Sequence, residues 1–168
     1  GIIMQSTLRG FLQNYNDLKV NFIDGRELSF IDVIGNVRSM EKDDCILVGT
    51  WKFDKSGDYI FNNASAILCE VNPTIPVFSL SSASLGSWAV GGYIPRYRNI
   101  GKDLADVTID YLSDTYNYKK AINYVSNEYR FDGKRMKELN INEASLPSDC
   151  IINKEPTLYD KYKSEFYV

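Results

Sequence analysis

The chain contains no histidine among its 168 residues. This absence excludes Ser-His-Asp and Cys-His catalysis, histidine zinc sites and histidine general bases. No apolar run approaches the ~18 residues of a membrane-spanning helix, and these residues include no recognisable signal peptide. The phosphate-cradling patterns GxGxxG and GxxxxGK(S/T) are also missing, which counts against nucleotide-dependent chemistry.

Cysteine and excess charge are equally scarce. The three cysteines, Cys45, Cys69 and Cys150, form no CxxC pair, which excludes zinc-ribbon and thioredoxin-type redox sites. Nineteen basic residues against 22 acidic residues leave a net charge of -3, so the chain offers no cationic field for nucleic acid. We therefore expect no cofactor, no metal site and no nucleic-acid partner.

The composition that remains is that of a globular domain, with 44% hydrophobic and 24% charged residues. Apolar residues at helical spacing and short apolar runs alternate along the chain. The helices are predicted at 2–15, 30–40 with Ser29 as N-cap, 64–71, 97–114 and 132–139. The strands are predicted at 18–23, 45–48, 75–80, 89–94 and 121–125.

This alternation, with connections too long for hairpins, predicts an α/β fold: a three-layer parallel sheet with helices on both faces. The run 45–48 is continuously apolar, as expected of a strand that is buried on both faces. We expect residues 1–150 to form this domain. Residues 151–168 should form a C-terminal helical segment with an aromatic face. Because position 1 is not Met, we expect the chain to be a piece of a longer protein.

Ligands of open parallel sheets bind beyond the carboxyl ends of the strands. Two segments of the chain meet this condition, 49–59 and 79–96, and both contain aromatic rings, hydroxyl groups and glycines. The residues predicted to face a ligand are Trp51, Asp54, Ser81, Trp88, Tyr93 and Arg96.

Each candidate also has a structural interpretation. Trp51 and Trp88 either recognise a ligand or cap the edge of the sheet. The segment that begins at Asp54 distantly resembles a calcium loop, but it lacks the distal Glu and is better explained as a turn. Arg96 either clamps an anionic ligand or is a solvated surface residue.

No catalytic residue is predicted, because a nucleophile with a matched base cannot be assembled from this sequence. The chain is therefore interpreted as a binding module rather than an enzyme. An α/β enzyme that uses carboxylates alone remains an alternative.

Short motifs carry a resemblance to a known family. Pro76-Val77-Phe78, Leu85-Gly86, residues 89–93 (Ala-Val-Gly-Gly-Tyr) and Gly101 look like the second half of the ABC-type substrate-binding-like family, which has the type I periplasmic binding protein fold. Later segments are similar to the juxtamembrane ending of that domain in bacterial sensor proteins; they are 127–132, 136–141, Leu146-Pro147 and 153–162.

The resemblance implies a two-component sensor histidine kinase whose ligand-sensing domain lies on the periplasmic, extracytoplasmic side of the cytoplasmic membrane. The domain would bind a small-molecule ligand and would be tethered to the membrane through the parent chain. The first lobe and the opening strand of the second lobe would then precede residue 1. The alternative is the solute-binding receptor of an ABC transporter. Because the chain contains 12 tyrosines, some of its aromatic surface could also form a homodimer contact.

Overall fold

The computed structural model describes residues 2–60, 63–113, 115, 126–156 and 162. The α-helices of these residues are α1 (Ile2–Leu12), α2 (Phe30–Arg38), α3 (Ala64–Val71), α4 (Ile100–Leu112) and α5 (Gly133–Glu138). The strands are β1 (Ile46–Val48), β2 (Val77–Ser79), β3 (Gly91–Pro95), β4 (Asn127–Asp132) and β5 (Ile151–Asn153). The chain divides into two compact units. Unit 1 comprises Gly1–Met40 and Thr50–Pro73, and unit 2 comprises Glu41–Gly49 and Thr74–Val168.

Unit 1 is organised around α2 and α3. The predicted N-cap Ser29 is confirmed: its hydroxyl accepts a hydrogen bond from the Asp32 N–H, and the Asp32 carboxylate accepts one from the Ser29 N–H. This reciprocal capping box satisfies two backbone donors that the helix itself cannot pair. Val37 of α2 and Leu68 of α3 are buried where the two helices pack together.

Unit 2 contains a five-stranded sheet with the order β1-β2-β3-β4-β5. Neighbouring strands pair in parallel except β3 and β4, which are antiparallel. The predicted α/β class is therefore confirmed, and the sheet is mostly parallel. The prediction of a wholly parallel sheet is wrong at one pairing, since β4 runs antiparallel to β3.

The core of unit 2 is formed by Val90, Phe131 and Met136, with partly buried side chains around them. The predicted start of α5 after Asp132 is confirmed, since the Asp132 carboxylate accepts a hydrogen bond of 2.8 Å from the Arg135 N–H. That cap begins the helix directly after β4. Met136 of α5 can therefore pack against Phe131 of β4.

Several strand predictions differ from the structure. Residues 18–23 form no strand, and their apolar side chains are largely exposed, because no other strand pairs with them in the described residues. β4 and β5 were not predicted, and β5 extends the sheet past the expected boundary at residue 150. The strand expected at 121–125 lies outside the described residues, as does the expected C-terminal helix apart from Tyr162.

The prediction that β1 is buried on both faces is also wrong. Leu47 at its centre is 51% exposed, so one face of β1 is open to solvent. The predicted helix 97–114 consists of a short 3-10 turn, Tyr97–Asn99, followed by α4, and no residue of α4 is buried. Within the described ranges, no helix combines the length and the hydrophobicity needed to cross a bilayer.

Candidate functional site

A groove of about 280 Å³ in unit 2 includes the carboxyl end of β3 and extends over β4 and β5. We call it the Glu128 groove. Its lining residues are Ser82, Leu85, Ile94, Pro95, Tyr97, Glu128, Arg130 and Asn153. This volume is slightly below the usual range of small-molecule pockets, about 300 to 1,000 Å³.

The antiparallel pairing of β3 with β4 positions the charged residues of the groove. Glu128 lies opposite Ile94 and Arg130 lies opposite Gly92. Because side chains alternate between the faces of a sheet, Glu128 and Arg130 project from the same face as Ile94. Glu128 is only 8% exposed, so its carboxylate requires partners that offset its loss of hydration.

Two arginines provide those partners. The Arg130 guanidinium donates to Glu128 Oε1, through Nε at 2.8 Å and also through Nη2. Arg96, which follows β3, donates through Nε to Glu128 Oε2 at 3.0 Å. The side chain of Arg130 is 14% exposed and that of Arg96 is 41% exposed. Arg130 therefore lies on the buried side of the carboxylate and Arg96 on the solvent side.

Glycine makes the close strand packing beside this cluster possible. A Cβ atom added to Gly92 would lie 1.9 Å from the backbone oxygen of Ser79, and one added to Gly91 would lie 2.1 Å from Cδ1 of Phe131. The space beside both glycines is thus filled by neighbouring strands. Its role in the described structure is to let β2, β3 and β4 pack closely.

Of the predicted ligand-facing residues, four belong to unit 2. Arg96 contacts the Glu128 groove through its ion pair with Glu128. Ser81 directly precedes the groove residue Ser82, and its N–H and carbonyl both hydrogen-bond to the hydroxyl of Ser79. The structure therefore brings the two ends of the predicted segment 79–96 to the same groove.

Trp88 and Tyr93 are placed differently. Trp88 is 4% exposed, and its indole N–H finds no acceptor in the part of the chain that the structure describes. Tyr93 is half exposed and its ring packs at a tilt of 41° against that of Tyr129, with ring centroids 4.7 Å apart. Because Tyr93 precedes Ile94 in β3, its side chain projects from the face opposite the groove.

Trp51 and Asp54 belong to unit 1. The Trp51 indole N–H donates to the Phe53 carbonyl at 2.9 Å, and its ring lies 5.8 Å from the ring of Phe30. The Asp54 carboxylate accepts hydrogen bonds from the backbone N–H groups of Phe30, Ser56 and Asp58. These contacts join the turn after Asp54 to the start of α2.

The same contacts control the ionisation of Asp54. Burial of the carboxyl disfavours its charged form, but the three N–H donors outweigh this effect and hold its pKa below the ordinary value. The turn itself closes through a hydrogen bond from the Gly57 N–H to the Asp54 carbonyl, with Gly57 at a φ of 79°. In the described residues, no three acidic or cysteine side chains group closely enough to hold a metal ion.

The residues that the sequence prediction missed are those contributed by β4 and β5. Glu128 and Arg130 were not proposed as site residues, because residues 127–132 were not interpreted as a strand. The alternation of Glu128, Tyr129, Arg130 and Phe131 is the signal that could have identified them. Asn153 carries no comparable signal, since it reaches the groove only through the pairing of β5 with β4.

Comparison of the chain with protein-family models, with curated proteins and with solved structures finds no match in any of the three. The functional argument therefore depends on the geometry of the Glu128 groove and on the properties of its residues.

Proposed function

We propose that the chain is a small-molecule binding domain and that its ligand occupies the Glu128 groove. The observation that carries this proposal is the combination of apolar walls with a few polar groups held on strands. Leu85, Ile94 and Pro95 supply apolar surface, and Glu128 and Arg130 supply charge. Small-molecule sites have this composition because apolar area provides affinity while fixed polar groups set orientation.

The position of the groove supports a receptor-like fold. It includes the carboxyl end of β3, at Ile94 and Pro95, and Ser82 shortly after β2, and open α/β sheets bind ligands at such strand ends. It also extends over β4 and β5, through Glu128, Arg130 and Asn153. We accordingly propose the three-layer arrangement of the type I periplasmic binding proteins, with this chain as one lobe plus part of the other. The motifs from Pro76 to Gly101 that resemble that family support the same assignment.

Within this proposal, the chain is the extracytoplasmic ligand-sensing domain of a membrane-bound sensor histidine kinase and catalyses no reaction itself. Ligand binding would shift an equilibrium between open and closed states, by no more than the difference in the ligand's affinity for the two. The segment after Glu155 would pass this shift to the membrane through the parent chain, alone or within a homodimer. The support for this step is the resemblance of residues 153–162 to the juxtamembrane ending of such domains.

A thermal-shift screen tests the binding function. The 168-residue chain is heated with sugars, amino acids, nucleosides and short peptides, since a ligand that binds only the folded state raises the melting temperature. Ser82 is exposed and lines the groove, so Ser82→Trp places a bulky side chain in the space that a ligand would occupy. Ser113→Trp, at an exposed position outside the groove, is the matched control.

We expect at least one class of compound to stabilise the unmodified chain and the Ser113→Trp variant but not Ser82→Trp. Stabilisation that persists in Ser82→Trp, or no stabilisation by any class, would contradict binding in this groove. The parent gene tests the sensor assignment separately. An apolar run of about 20 residues after Val168 supports it. A stop codon there would favour the solute-binding receptor of an ABC transporter.

A further inference from the structure

We infer that the ligand of the Glu128 groove is a small organic anion whose carboxylate or phosphate binds the guanidinium of Arg130. This inference rests on the proposed function, because it specifies the chemistry of the same groove. It follows from the charges around Glu128, from the hydrogen-bond donors that remain on Arg130, and from the apolar walls of the groove.

The charge argument begins with the ion pairs. One carboxylate, Glu128, is shared by two guanidiniums, with Oε1 bound by Arg130 and Oε2 bound by Arg96. The three groups together carry one net positive charge. Arg96 thus offsets part of the negative charge that would otherwise neutralise Arg130. The nearest acidic residue on the same strand face, Asp132, already caps α5 and does not line the groove.

The donor argument concerns the free N–H groups. A guanidinium carries five N–H donors, and Arg130 uses one on Nε and one on Nη2 for Glu128. Among the described residues, three N–H groups of Arg130 therefore remain for another acceptor. Because Glu128 holds the guanidinium in place on a β-strand, binding an anion costs little additional side-chain entropy. Glu128 is in this sense a positioning residue.

The apolar walls of the groove favour an organic anion over an inorganic one. Leu85, Ile94 and Pro95 line the groove with apolar surface that an inorganic ion would leave uncovered. Tyr97 adds an aromatic ring, and Asn153 adds an amide that can donate to a second ligand oxygen. The groove therefore suits an anionic group joined to a small apolar or aromatic body.

Binding of matched probes to the 168-residue chain tests the inference. The probes are benzoate, phenyl phosphate, neutral benzamide and cationic benzylamine, and the observables are the dissociation constants and the NMR shift of the Arg130 Nε–H. We expect the anions to bind and to move that resonance. Benzamide should bind at least about tenfold more weakly, because a charge-assisted hydrogen bond contributes about 1.5 to 3 kcal/mol. Comparison of benzoate with phenyl phosphate identifies the preferred anionic group.

Three variants test which residues are responsible for anion binding. Arg130→Gln should weaken benzoate or phenyl phosphate binding by at least about tenfold. Arg96→Gln removes charge but no groove donor, so we expect a smaller loss of about threefold. Lys137→Gln, which removes an exposed charge from α5, should leave binding unchanged. Should Arg130→Gln fail to fold, added salt provides the second readout, since screening must weaken anion binding but not benzamide binding.

The outcomes separate this inference from the proposed function. If benzamide binds as tightly as benzoate and shifts groove resonances, the anion inference is wrong while the groove remains a ligand site. Anion binding that survives Arg130→Gln, or that is insensitive to salt, also overturns the inference. If none of the four probes binds, the inference fails; a neutral compound whose stabilising effect is lost in Ser82→Trp would still support the proposed function.

Discussion

Removing the charge of Glu128 while keeping its shape should destabilise unit 2 strongly. In Glu128→Gln, two guanidiniums lose the carboxylate they share. Breaking a buried ion pair by removing one partner costs about 3 to 5 kcal/mol. Arg130 keeps 14% exposure, so we take the lower end, about 3 kcal/mol. Arg96 is 41% exposed and should add less than about 1 kcal/mol.

Urea denaturation can measure this loss in unit 2 alone. The two tryptophans of the chain are divided between the units, with the buried Trp88 in unit 2. In a Trp51→Phe background, indole fluorescence therefore reports the unfolding of unit 2. With a urea m-value of about 2 kcal/mol/M, a loss of about 3 kcal/mol moves the midpoint by about 1.5 M.

The matched control for this experiment is Glu143→Gln. Glu143 pairs with Lys154 on the surface, where the two side chains are 57% and 64% exposed, so its loss should cost less than about 0.5 kcal/mol. Equal urea midpoints for Glu128→Gln and Glu143→Gln would refute the view that Glu128, Arg96 and Arg130 form a desolvated charge network. A double-mutant cycle of Glu128→Gln with Arg130→Gln then isolates the coupling between those two residues.

Two further predictions concern backbone packing and acid stability. Gly92→Ala should prevent unit 2 from folding natively, because the added Cβ would clash with the backbone oxygen of Ser79. Gly35→Ala, at an open helical position, should instead raise the free energy of unfolding by about 0.8 kcal/mol. Calorimetry of the two variants measures this difference. Because the pKa of Asp54 is lowered on folding, its carboxylate stabilises unit 1 above the ordinary pKa and loses that effect as pH falls through the lowered value. Asp54→Asn should therefore be less stable at pH 7 and less sensitive to acid in urea titrations from pH 7 to pH 2; an unchanged acid response would contradict this role.

Helices with a local start signal were predictable from the sequence. Ser29 and Asp32 satisfy the first turn of α2 within four residues of chain, and Asp132 does the same for α5. Such caps act through hydrogen bonds between near neighbours, and so they can be recognised without knowledge of the fold. The strand predicted at 18–23, which does not form, shows the converse, since an apolar run is stable as a strand only when another strand pairs with it.

The candidate site was only partly predictable for the same reason. Arg96 and the segment around Ser81 were identified because they follow apolar runs that do become strands. Glu128 was missed, although its alternation with Arg130 is visible in the sequence. Without a strand assignment, charged residues at these positions are explained equally well as solvent-exposed surface residues. Burial gives Glu128 its significance, and burial depends on the rest of unit 2.

The sequence by itself determined the α/β class, the starts of α2 and α5 and the absence of histidine chemistry, because all three depend on residue identity and short-range spacing. Only the tertiary structure decided that β4 returns antiparallel to β3 and that β5 joins it. That pairing places a carboxylate and two guanidiniums, from segments 32 residues apart, within hydrogen-bond distance. The physical reason is that strand direction and register are set by which distant surfaces can be buried together.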